Sequence, residues 1–159
     1  MKNNKGITLI TLIITIIAII ILASVFMATG TESLEEAKKS EIANEIHQLK
    51  LAIVDKFTSY QKNDGNVFLI GELAKNKWPN SDDCVDKVIE VLIFDEDDTF
   101  EEKTLKTNRV SIEIARDYDK YVKIIYSGDM ESLGLQKYSK DNAYIVNYNT
   151  GGVYGPISE

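Results

Sequence analysis

The sequence predicts an α+β fold in which one long N-terminal helix, membrane-spanning in its first half, packs against a small antiparallel sheet. Three patterns carry this prediction: an uncharged apolar run, an amphipathic stretch with helical spacing, and short alternating segments near the C-terminus. They divide the chain into a short basic segment (1–6), an apolar helix (7–28), its amphipathic continuation (29–61) and a globular α+β head (62–159).

The run from Ile7 to Ala28 contains no charge, no glycine and no proline. As a helix it would reach roughly 33 Å, enough to cross a hydrocarbon core of about 30 Å. In lipid only a helix satisfies the backbone of a single segment. Lys2 and Lys5 precede the run and three glutamates follow it, so the positive-inside rule places the N-terminus in the cytoplasm and the residues after Gly30 outside.

Two more general interpretations of this segment remain open. One is a secretory signal peptide, cleaved near Ala23-Ser24 or within Ala28–Gly30, although its apolar core would be longer than the usual 7–15 residues. The other is a plain single-span anchor. Both begin with the same basic and apolar pattern.

The stretch after Thr31 has one apolar stripe at steps of mostly three and four residues, which is typical of a helix with one buried face. The stripe consists of Leu34, Ala37, Ile42, Ile46, Leu49, Ile53, Phe57 and Tyr60. Charged residues flank it, including Glu45 and Lys50. The cluster Asn63-Asp64-Gly65 predicts its end.

Joined to the apolar run, this stretch predicts a nearly continuous helix from about Ile7 to Gln61, with Gly30 as its weak point. The alternative is that the amphipathic stretch forms a coiled-coil stalk and does not pack against the head. The stripe departs from a strict heptad, and this departure favours packing against a sheet. We therefore expect Ile46, Leu49 and Ile53 to face the strands of the head.

The first part of the head contains a predicted helix. Ser81-Asp82-Asp83 supply a candidate N-cap, and Val85, Val88, Ile89 and Leu92 follow at helical spacing. A strand through Val91–Phe94 is the alternative interpretation of the same region.

The rest of the head is predicted to form antiparallel strands. Alternation predicts one strand over Val110–Ala115 and a second over Tyr121–Tyr126, joined as a hairpin through Arg116–Lys120. A third is predicted over Tyr144–Tyr148, followed by the turn Asn149-Thr150-Gly151-Gly152 and a return through Val153-Tyr154.

The composition argues against several classes of function. A net charge of −7 and a pI near 4.8 disfavour binding of nucleic acid or anionic lipid by the folded domain. Cys84 is the only cysteine, so it is either an unpaired thiol or a link between chains. His47 is the only histidine, and no catalytic partner for it is apparent.

No phosphate-binding loop, nucleophile motif or His/Cys metal spacing occurs, so we expect neither an enzyme, a cofactor nor a metal. The acidic run Asp95–Asp98, together with Asp82 and Asp83, offers a weak calcium site as an alternative. It lacks the alternating ligands of a calcium loop, which favours a solvated acidic loop.

The sequence at the start of the apolar run indicates a more specific class of membrane protein. Lys5-Gly6 is followed at once by Ile7-Thr8-Leu9-Ile10. This segment resembles the class III (prepilin-type) leader of type IV pilins and pseudopilins, particularly those of low-GC Gram-positive bacteria. The closing segment Tyr144–Tyr154 is also similar to the final hairpin of such chains.

The resemblance implies a lollipop-shaped subunit that a prepilin peptidase cleaves between Gly6 and Ile7 and methylates at Ile7. It further implies that other pilin subunits are its partners. The chain would span the cytoplasmic membrane once, with its head outside the cell, before it enters an extracellular filament by helix packing.

One position departs from the family pattern. Most major pilins carry glutamate at the fifth mature residue, which here is Thr11. Minor pilins lack this glutamate, so the resemblance implies a minor subunit. Many Gram-positive pilin-like proteins lack it as well, which leaves open that such a system dispenses with the glutamate and that this subunit is abundant. The alternative is a single-span, membrane-anchored extracellular binding module or receptor that does not assemble.

Overall fold

The computed structural model describes residues 5–92, 97–136 and 142–157; within the first range, the side chains of residues 5–11 and 22–33 are not described. The chain divides into two compact units, Met1–Glu41 and Ile42–Glu159. Helix α1 contributes residues to both units, and the strands of the described residues belong to the second.

Helix α1 spans Lys5–Lys62, which confirms the predicted long helix. It continues through Gly30 without a change of helical assignment. Its end is the predicted one: the Gly65 N–H donates to the Tyr60 carbonyl at 2.9 Å, and Asp64 and Gly65 have φ angles of 49° and 78°. A left-handed conformation of this kind ends a helix by satisfying its last carbonyls.

The second unit contains a four-stranded antiparallel sheet in the order β1-β2-β3-β4. Its strands are β1 (Glu72–Leu73), β2 (Val122–Ile125), β3 (Ala143–Asn147) and β4 (Gly152–Ile157). The predicted strands at 121–126 and 144–148 and the closing hairpin are confirmed. Sequence patterning did not reveal β1, because two residues are too few to show alternation.

Among its described residues, the second unit has four further helical segments: α2 (Ala74–Lys77), α3 (Ser81–Val91), α4 (Phe100–Asp117) and the 3-10 helix Glu131–Leu133. Helix α3 confirms the predicted helix, but the predicted N-cap is wrong: Asn80 occupies the N-cap position, and Ser81, Asp82 and Asp83 form the first turn of the helix. Val91 ends this helix and Leu92 is its C-cap, whereas the rest of the alternative strand, 93–94, lies outside the described residues.

The predicted strand over Val110–Ala115 is wrong, because these residues lie in α4. A capping box starts this helix: the Glu102 N–H donates to the Thr99 hydroxyl, and the Thr99 N–H donates to the Glu102 carboxylate. The segment Arg116–Lys120 is therefore not a hairpin, since it leads from the end of α4 into β2.

The sheet is covered on both faces. On one face, Leu49, Ile53 and Phe57 of α1 pack with strand residues that include Tyr144 and Val146. On the other face, residues of α3 and α4 pack with the sheet; this cluster includes Cys84, Val88, Ile114, Tyr118, Ile124 and Ile145. Every residue of β3 is buried, as expected of a strand between two helical layers. The prediction that Ile46, Leu49 and Ile53 face the strands is confirmed, with Ile46 only half-buried.

Candidate functional site

The first unit presents a helix that is apolar on all sides. In the part of α1 whose side chains are described before Leu34, eight large aliphatic residues are 49–64% exposed: Leu12, Ile13, Ile14, Ile16, Ile17, Ile19, Ile20 and Ile21. A surface helix of a globular domain normally has a single apolar stripe. Aliphatic side chains on every side of a helix are typical of one that lipid or other helices surround.

The polar group within this segment is satisfied locally. The Thr15 hydroxyl donates to the Leu12 carbonyl at 2.8 Å. This back-bond lets a threonine enter an apolar environment without an unpaired donor. Among the residues with described side chains, no helix combines the length and apolar character required of a membrane span.

The predicted processing and assembly residues lie at the start of α1. Gly6, Ile7 and Thr11 have helical backbones, but their side chains are not described, and residues 1–4 of the leader lie outside the described part of the chain. The structure therefore places these residues in one helix with the aliphatic segment and leaves their contacts undescribed.

The second half of α1 carries an acidic residue whose environment the sequence did not indicate. Glu45 was expected among the charged residues that flank the apolar stripe, yet it is 3% exposed. Its carboxylate accepts a hydrogen bond from the Tyr144 hydroxyl of β3 and a long one, 3.4 Å, from the Asn142 side chain. Burial of this carboxylate is possible because these donors replace water.

A second buried carboxylate anchors α4 to the closing hairpin. Asp117 accepts hydrogen bonds from Arg116 Nη2 at 2.8 Å, from Asn147 at 3.1 Å and from Asn149 at 3.2 Å. The hydrogen bond from Arg116, together with those from the two asparagines, lowers the pKa of Asp117. These hydrogen bonds hold the C-terminal end of α4 against the β3–β4 hairpin.

Cys84, His47 and the acidic run Asp95–Asp98 were the other candidates for chemistry in the sequence. Cys84 is buried, and burial raises the pKa of its thiol to about 12, which indicates an unreactive core residue and disfavours a link between chains. His47 is exposed on α1. No group of three potential metal ligands occurs among the described residues, and part of the acidic run, 95–96, lies outside them.

Comparison with known proteins does not assign the chain: no family model, curated protein or solved structure matches it.

Proposed function

We propose that this chain is a type IV pilin-like minor subunit, which enters an extracellular filament by packing of its apolar helix. The main observation that supports this proposal is the exposed aliphatic segment Leu12–Ile21, which lies in a helix that continues to Lys62. A segment of this kind requires a covering of lipid or of other helices. The adjoining Lys5-Gly6-Ile7 sequence supports assembly as its purpose.

Processing follows from the leader. A prepilin peptidase cuts between Gly6 and Ile7 and methylates the new amino group of Ile7. Until assembly, residues 7–28 hold the subunit in the cytoplasmic membrane with its head outside the cell. The mature helix then begins at the aliphatic segment itself.

Assembly needs no bond chemistry by the subunit. Lipid tails and aliphatic side chains are similarly apolar, so extraction into a bundle of helices exchanges one apolar environment for another. Close packing among Ile and Leu side chains then supplies dispersion contacts along the filament axis. The partners are other pilin subunits, and the acidic second unit makes nucleic acid an unsuitable ligand for the isolated domain.

The minor role follows from Thr11. A threonine cannot form the ion pair that a glutamate at this position would form with the amino terminus of a neighbouring subunit. Self-assembly is therefore weaker than for a subunit that carries the glutamate, which suits a role in initiation, length control or adhesion.

Mass spectrometry of the mature N-terminus tests the proposal. The protein is purified from membranes of a host that has a prepilin peptidase and, as the control, from a host without one. A chain that begins with methylated Ile7 only in the first host is expected. An intact Met1 in both hosts would instead support a single-span anchor that displays a binding module or receptor.

A further inference from the structure

The second unit contains an open cleft of about 410 Å³ at the end of α1. Its walls come from α1, from the loop that follows this helix, and from the connection between α4 and β2. The lining residues that matter are Tyr60, Asn66, Phe68, Asp119, Lys120 and Lys123. This volume lies within the range of small-molecule sites, roughly 300–1,000 Å³.

One wall of the cleft is an exposed aromatic ring. Phe68 is 91% exposed, whereas the next residue, Leu69, is buried in the core. The loop is held in place, because Lys123 Nζ donates to the carbonyls of Leu69 and Gly71 at 2.9 and 3.1 Å. The Phe68 ring is thus presented to solvent by a fixed backbone, and burying it against a ligand would be favourable.

The lining of the cleft also carries a positively charged group, the ammonium of Lys120. Lys120 Nζ lies 5.0 Å from the centre of the Tyr121 ring and 5.9 Å from that of Tyr60. These rings are themselves held by Phe57, which stacks on Tyr60 and contacts Tyr121 edge to face. Hydrogen bonding to Tyr121, and then to Tyr60, raises the pKa of Lys120.

The acidic residue that lines this cleft, Asp119, already has a partner of opposite charge. Asp119 forms an ion pair with Lys75 at 2.7 Å. This pairing reduces the repulsion that the Asp119 carboxylate would exert on an anion beside Lys120. The cleft therefore has both an exposed aromatic ring, that of Phe68, and a cation, the ammonium group of Lys120, in a chain whose net charge is −7.

We propose that this cleft binds a small monocarboxylate with an aromatic or aliphatic body, which packs on Phe68 while its carboxylate pairs with Lys120. A single charge fits better than several, because the acidic chain repels polyanions. Lys123 acts as a positioning residue, since its ammonium group holds the loop that presents Phe68.

Binding at this site does not depend on assembly. Every lining residue belongs to the unit Ile42–Glu159, and none lies in the leader or in the aliphatic segment. A chain that fails to be processed would still bind the acid, and a processed chain that does not bind would leave the filament proposal unaffected.

Isothermal titration calorimetry on the full chain in detergent micelles, with micelles alone subtracted, tests the site. The probe is 3-phenylpropionate, which has both a carboxylate and an apolar body. Its amide lacks the charge, and acetate lacks the apolar body. We expect a dissociation constant of about 1 mM or lower for phenylpropionate. The amide and acetate should each bind about tenfold more weakly or not measurably.

Matched variants locate the binding. Phe68→Ala and Lys120→Gln should each weaken phenylpropionate binding about tenfold, whereas Phe100→Ala and Lys50→Gln, which change exposed residues of α4 and α1, should leave it unchanged. Phe68→Ala alters an exposed side chain, so its effect can be measured without loss of the fold. Absence of binding by the wild type, equal binding of acid and amide, or equal losses in Phe68→Ala and Phe100→Ala would each overturn the proposal.

Discussion

The hydroxyl of Tyr144 donates a hydrogen bond to the carboxylate of Glu45, and both side chains are buried. The bond joins α1 to β3, the fully buried strand of the sheet. It lies beside the aliphatic contacts that Leu49 and Ile53 make with the same face. A polar contact therefore connects α1 to β3 within a mostly apolar layer.

Tyr144→Phe should lower the free energy of unfolding by about 1–3 kcal/mol, because it leaves a buried carboxylate without its main donor. Denaturant unfolding of the full chain in detergent, followed by the fluorescence of Trp78, measures this loss. Tyr126→Phe is the control: its hydroxyl contacts Glu72 at the surface, so a change within about 0.5 kcal/mol is expected. Equal stabilities of Tyr144→Phe and wild type would contradict the structural role of the bond.

Two leucines of α1 test which face of the helix is packed. Leu49 is fully buried and Leu51 is 60% exposed. Leu49→Ala should cost about 2–5 kcal/mol of stability, as should Ile53→Ala, because each leaves a cavity in the core. Leu51→Ala should change stability by no more than about 0.5 kcal/mol. The same unfolding measurement applies, and similar losses at both leucines would show that α1 does not pack as described.

Asp117 makes stability depend on pH in a defined direction. Its pKa in the folded protein is lowered, chiefly by the hydrogen bond from Arg116 and then by those from Asn147 and Asn149, relative to an unfolded value of about 3.9. Its contribution is thus complete above about pH 4 and is lost as the pH falls through the folded value.

The stability difference between wild type and Asp117→Asn should be about 1–3 kcal/mol at pH 7 and should shrink below pH 4. Unfolding curves recorded from pH 2 to pH 7 measure it. Asp119→Asn serves as the control, because its exposed ion pair with Lys75 contributes at most about 1 kcal/mol. A difference for Asp117→Asn that stays constant across this range would rule out the proposed linkage.

Gly6→Val should block processing, because a branched side chain before the cleavage point obstructs the peptidase. The expected product in a peptidase-containing host is a membrane-bound precursor of lower gel mobility than the mature chain. Gly30→Ala changes a glycine far from the cleavage point and should be processed normally. If Gly6→Val and wild type share one N-terminus at Met1, the leader assignment fails.

Because residue 11 is a threonine and not a glutamate, we expect the chain to be scarce in filaments. Quantitative mass spectrometry of sheared filaments should find it far below the principal subunit, because Thr11 offers no charge to pair with a neighbouring amino terminus. Thr11→Glu should raise its share of the filament, whereas Thr15→Glu, one turn further along, should not. Dominance of the wild-type chain would refute the minor role and leave the pilin assignment standing.

Local patterns determined much of the fold. The apolar stripe through Leu49 and Ile53 and the stop at Asn63–Gly65 define the end of α1, because helical periodicity and left-handed turns are properties of neighbouring residues. The turn before Gly152 likewise predicts the β3–β4 hairpin.

The helical state of Val110–Ala115 was not evident from the spacing of its apolar residues. Val110, Ile112 and Ile114 alternate with more polar residues as they would in a strand, yet Ile112 is exposed. The buried or half-buried side of α4 also includes Thr107, Ser111 and Asp117, at helical spacing. A count of apolar residues overlooks polar members of a buried face. The capping box at Thr99 was the sequence signal that could have identified the helix.

The buried carboxylates depended on tertiary structure. Glu45 and Tyr144 are 99 residues apart in the chain, and Asp117 and Asn147 are 30 apart. Whether a charged side chain is solvated or buried depends on donors that only the folded chain brings near it. The sequence by itself determined the long helix and the closing hairpin, whereas contacts between distant residues decided which polar groups those elements bury.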